Sequence, residues 1–141
     1  MKKAGKRILA AGVTLGIICG IGGAAFAANN PEKINNVKVN GYSVSCLSKL
    51  SSDERTASAS TTYNGSGAVS VSSTFKSIYI PTRKVTTQKR TKGNYGTASV
   101  SFNRPENDLA KRIESDHSVS ASNQTWNGKT RKLAWLDRTA G

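Results

Sequence analysis

The residues able to do covalent chemistry are few. His117 is the sole histidine, and Cys46 is the one cysteine outside the first thirty residues. A Cys-His hydrolase would need thiol and imidazole within hydrogen-bond reach, plus a third group such as Asp116 to orient the ring. Neither residue sits in a cysteine-peptidase or sortase motif, and no catalytic residue is assigned. The remaining enzymatic alternative is a small secreted hydrolase such as a ribonuclease, in which basic residues would hold phosphate while Glu106, Glu114 or His117 exchanged protons. Zinc needs three or four His, Cys or carboxylate ligands at helpful spacing, and here such residues are scattered. No metal and no cofactor is expected.

The strongest signal for function is a basic run. Arg83, Lys84, Lys89, Arg90 and Lys92 surround a single aliphatic residue, Val85, within a stretch from Thr56 to Phe102 that contains no Asp or Glu. Each Lys or Arg near an anionic surface contributes on the order of 1 kcal/mol, and that attraction is screened by salt. The run is read as a projecting hairpin or long loop closing at Gly93-Asn94, and as a binding site for phospholipid or teichoic acid. Sequence-specific nucleic-acid binding is not expected, because Tyr95 is the one aromatic residue close by. Trp126 and Trp135 would flank a last hairpin. Exposed, they could stack on sugar rings; buried, they fill the core.

The first thirty residues are unlike the rest. Lys2, Lys3, Lys6 and Arg7 precede an uncharged run ending in Ala25-Phe26-Ala27. This is the layout of a secretory signal peptide, cut after Ala27, and it places the protein outside the cell or in association with its wall. The rival is a retained membrane helix, since Gly12, Gly16 and Gly20 repeat every four residues. Cleavage would leave 114 of the 141 residues, enough for one domain. Four of the 21 Lys and Arg precede the cut, so seventeen then face eight acids, a net charge of +9. Cys46 would be left without an internal disulfide partner. It reads as a small buried residue, with a disulfide-linked dimer as the alternative.

The elements that must position these residues are strands. Residues 28–36 are read as a flexible lead, 37–136 as one β domain and 137–141 as a polar tail. Val37 and Val39 alternate with polar residues, and after Gly41 the apolar positions shift to Tyr42, Val44 and Cys46, the mark of a β-bulge. Ala57 to Tyr63 and Val69 to Phe75 alternate on either side of Asn64-Gly65-Ser66-Gly67, which reads as a hairpin turn. The parity changes again at Ile78 and Ile80, so a bend is expected near Lys76-Ser77. Ala98, Val100 and Phe102 form another strand. Pro105 to His117 is the one helical candidate, with Leu109 and Ile113 four apart. Asn127-Gly128 then signals a final hairpin whose returning strand is Leu133 to Leu136. The expected class is all-β: a small antiparallel β-sandwich or barrel with one short helix, preceded by a signal-peptide helix.

A basic leader, Gly41-Tyr42-Ser43-Val44-Ser45-Cys46, Ser/Thr alternation and His117-Ser118-Val119-Ser120 followed by Trp126 resemble small Ser/Thr-rich secreted proteins of Gram-positive bacteria. The stretch from His117 to Lys132 is also similar to lactococcin-type bacteriocins, β-sandwich proteins that interfere with cell-wall synthesis. That resemblance implies a bacteriocin-like secreted antimicrobial protein. The residues themselves favour a secreted, basic, non-enzymatic protein that binds an anionic cell envelope or host surface.

Overall fold

Ser, Thr and Lys alternate with Ala, Val and aromatic residues along most of the chain, and a period of two exposes one face of a strand while burying the other. The computed structural model describes residues 30–140, so the expected leader lies outside the described residues. Eight strands follow in order: β1 (Lys33–Val39), β2 (Tyr42–Leu50), β3 (Thr56–Tyr63), β4 (Ala68–Tyr79), β5 (Lys84–Tyr95), β6 (Thr97–Asn103), β7 (Asp108–Ala121) and β8 (Gln124–Leu133). They form two four-stranded antiparallel sheets, β1-β2-β3-β6 and β5-β4-β7-β8. The sheets pack face to face as a sandwich.

Several local expectations are corrected. β1 starts at Lys33, inside the segment read as a flexible lead. The change of parity at Gly41 is a two-residue hairpin turn rather than a bulge. Asn40 and Gly41 both have positive φ (49° and 81°), and Val39 pairs with Tyr42 across them. Positive φ at both positions is the type I′ geometry that Asn-Gly adopts most readily. Asn64 to Gly67 is not a hairpin either, because β3 and β4 lie in different sheets and this segment carries the chain between them. Ser120 and Ala121 of β7 press so closely on Gly67 that no side chain would fit there.

The helix expected between Pro105 and His117 is strand β7. Ala110 and Ile113 are both fully buried although three residues apart, and the β4 register shifts opposite them, between Lys76 and Ser77. One extra residue in β7 therefore turns a spacing of two into three, which mimics helical periodicity. β4 keeps its parity through Lys76-Ser77, the place expected to bend: Ser77 stays buried and Ile78 falls on the other face, and the register shift there comes from the extra residue in β7. Asn127-Gly128 lies within β8. The β7–β8 turn is Ser122-Asn123, with Ser122 at φ 49°. Gly128 is needed because the Trp126 ring lies over it. The one helix among the described residues, α1 (Trp135–Ala140), occupies the segment read as a returning strand and polar tail. Asp137 ties it to Lys111 (2.7 Å) and Arg112 (2.8 Å) of β7.

The core is thin but closed. Phe75 and Phe102 pack with ring centroids 5.9 Å apart, among Val44, Val71, Ile113, Val119 and Trp126. Between the sheets also runs a chain of buried polar side chains that links Thr61, His117, Thr130, Ser48, Ser115 and Ser73 at 2.6–2.8 Å per step. Six strands' worth of inward Ser, Thr and Ala positions would waste apolar area, and this network satisfies the hydroxyls they bring in.

Candidate anion-binding edge

The basic run is not a projecting loop. It is β5, a twelve-residue edge strand paired along its whole length with β4, from Tyr79 opposite Lys84 to Ala68 opposite Tyr95. Directly opposed residues share a face. Val71, Ser73 and Phe75 point into the sandwich, so their partners Lys92, Arg90 and Gln88 share that inner face, as does Lys84 opposite Tyr79. Lys89, opposite Thr74, lies on the outer face. Arg83 precedes the strand in a turn at φ 61°.

The inner-facing cations are exposed nonetheless, because β5 overhangs the edge of the opposite sheet. There the chain crosses from β5 to β6 through one residue, Gly96, at φ 80°. Gln88 Nε2 donates to the Asn103 carbonyl of β6 at 3.0 Å, and the Arg90 guanidinium sits 5.7 Å from the centre of the Phe102 ring. These contacts hold β5 against β6 while leaving the cationic ends in solvent. Lysines and inward-pointing charges also block edge-to-edge pairing of β5 with another strand. From Lys84 to Lys92 the strand runs about 27 Å.

Charge is segregated by strand. Lys111, Arg112, Lys129, Arg131 and Lys132 all lie on β7 and β8, and each is paired with an acid, through Asp137, Glu114, Asp116 and Glu32. Among the described residues no ion pair reaches Arg83, Lys84, Lys89, Arg90 or Lys92. The acid-free composition of residues 56–102 thus becomes a spatial property. Ion-paired cations thus cluster on β7 and β8, while the five cations on and beside β5 stand without an acid among the described residues.

The remaining candidates are not assembled into a site. His117 is 2% exposed, and its pKa is pushed down to about 4 by burial, with the Asp116 charge opposing. The Thr61 hydroxyl donates to the Ser70 carbonyl (2.8 Å), so it accepts from His117 Nδ1–H, and Nε2 lies 2.7 Å from the Thr130 hydroxyl. Asp116 follows the opposite face of β7 and pairs with Lys129, so it does not orient the ring. Glu114 shares that outer face with Arg112 and Arg131, and Glu106 is exposed in the loop before β7. Cys46 is 2% exposed, and burial pushes its thiol well above the usual range. A dimer bridged through Cys46 would require β2 to leave the sheet. Among the described residues no three His, Cys, Asp or Glu come together as metal ligands.

The two tryptophans are not cross-strand neighbours. Trp126, on β8 opposite Val119, is 3% exposed and closed to a sugar ring, whereas Trp135 opens α1 and is 61% exposed. Sequence reasoning missed the outer face of the β1-β2-β3-β6 sheet. Its signal was present in the polar half of each alternating strand, which looked like ordinary solvated surface. No protein-family model matches the chain, and no curated protein or solved structure matches it either.

Proposed function

We propose that this is a secreted, non-enzymatic binding protein that docks on anionic polymers of a cell envelope or host surface through the β5 edge. The observation that carries the reading is the separation of charge: five exposed cations on and beside one edge strand lack acidic partners among the described residues, while the cations of β7 and β8 are neutralised in place. Unpaired cations keep their full attraction for an external anion, whereas a paired cation must first give up its partner. The linear layout along one strand suits an extended polyanion better than a compact anion, which would engage one or two of the five.

Co-sedimentation of the purified protein, residues 28–141, with cell walls tests this. Binding is expected at low ionic strength and release at high salt, since the Debye length falls to about 3 Å at 1 M. Changing Arg83, Lys84, Lys89 and Arg90 together to Ser is expected to abolish pelleting. Equal pelleting of that variant, with an unchanged circular-dichroism spectrum, would refute the assignment.

A further inference from the structure

The β1-β2-β3-β6 sheet has an outer face of unusual chemistry. Register places Ser58 opposite Ser101, Ser60 opposite Ser99 and Thr62 opposite Thr97. On the β2 side the same rows continue into Lys49, Leu47 and Ser45, and β1 adds Lys33 and Lys38. Strands about 4.8 Å apart, with same-face residues about 7 Å apart along each, make this a flat lattice of hydroxyls. The strands of this sheet contribute no Asp or Glu, and Leu47, 37% exposed, is the large apolar side chain on the face. With one partly exposed leucine, such a surface has little to insert into a bilayer, and it has no aromatic ring for a sugar to stack on. Its hydroxyls both donate and accept, and its charges are all positive.

The face is also continuous with the cationic edge. β6 is the lateral strand of the hydroxyl lattice and adjoins β5 through Gly96, Gln88–Asn103 and Arg90–Phe102. A chain lying across β3 and β6 passes directly onto Arg90 and Lys92. Resting on the anion-binding reading above, we propose that the occupant of this combined surface is a polyol-phosphate polymer, whose free hydroxyls pair with the Ser/Thr lattice while its phosphates meet β5, Lys33, Lys38 and Lys49. Hydroxyl contacts are individually weak in water, and a repeating ligand makes many of them at the cost of one association.

The test compares three probes at equal ionic strength: poly(glycerol phosphate), inorganic polyphosphate of the same phosphate number, and vesicles containing phosphatidylglycerol. The expected order is poly(glycerol phosphate) at least ten-fold tighter than polyphosphate, with vesicles weakest. Changing Ser58, Ser60, Ser99 and Ser101 together to Ala is expected to remove that preference and leave polyphosphate affinity unchanged, which also shows the variant folded. The Arg83, Lys84, Lys89 and Arg90 to Ser variant is expected to lose both polymers. Equal affinity for the two polymers, an undiminished preference in the Ala variant, or tightest binding to vesicles would overturn the polyol-phosphate assignment while leaving the anionic edge intact. Absence of binding to all three probes would overturn both.

Discussion

Lowering the pH from 7 to 5 should destabilise this protein through one residue. His117 is the sole histidine, and its folded pKa of about 4 lies below the ordinary value of 6.5 because burial between the sheets disfavours the imidazolium. The depressed value means that between these two pKa values the unfolded chain binds the proton and the folded chain does not. Stability from this group is therefore full above pH 6.5, falls as the pH drops, and levels off below about 4. A shift of that size is worth up to about 3 kcal/mol, of which about 2 kcal/mol is lost between pH 7 and 5. The Asp53 carboxyl, held below its ordinary value by the Ser51 hydroxyl, and the Asp137 carboxyl, where burial that would raise it is outweighed by Lys111 and Arg112, stay charged across this window. Urea unfolding at half-unit pH steps should give a stability slope approaching 1.4 kcal/mol per pH unit near pH 5. A 2 kcal/mol loss should lower the melting temperature by on the order of 10 °C. A flat stability between pH 7 and 5, or an imidazole that titrates near 6.5 in the folded protein by NMR, would refute the reasoning.

Other consequences are open to direct measurement. Gly67→Ala places a methyl against the Ser120 carbonyl and the Ala121 side chain, and overpacking of this kind should cost about 1–3 kcal/mol in denaturant unfolding. Gly41→Ala meets no neighbour but must hold φ at 81°, so a smaller loss, about 1 kcal/mol, is expected from backbone strain alone. If Gly41→Ala proved the more damaging of the two, the close approach at Gly67 would be mistaken. Cys46 should resist alkylation in the native protein at pH 8 and react fully in urea; rapid stoichiometric labelling without denaturant would show that β2 opens.

The chain's physical pattern explains which elements were legible. Alternation in Thr56–Tyr63, Ala68–Tyr79 and Thr97–Asn103 marks strands because a two-residue period has no other regular solution. β7 was illegible for a local reason, since its bulge spaces Ala110 and Ile113 like neighbouring turns of a helix. Asn40-Gly41 and Asn127-Gly128 are the same dipeptide, yet one makes a turn and the other lies inside β8, where Trp126 covers the glycine. Local chemistry permits both outcomes, and a large ring needing room decides the second. The basic run looked like a loop because β5 has almost no apolar alternation. An edge strand overhanging the opposite sheet buries so little side chain that its sequence carries no burial signal, and its pairing to β4 does the ordering instead.

By itself, then, the sequence determined the all-β class, the identity of the cations and the absence of acids from residues 56–102, because these follow from composition and from the period of the strands. Only the tertiary structure decided which sheet each strand joins, and that assignment sets the layout of both proposed surfaces. Placing β5 at the edge opposite β8 keeps its five unpaired cations away from the ion pairs of β7 and β8. Placing β3 beside β6 turns scattered serines into one face. Neither outcome could be read from neighbours in the chain, because the pairings that create them are set by packing two half-apolar sheets against each other.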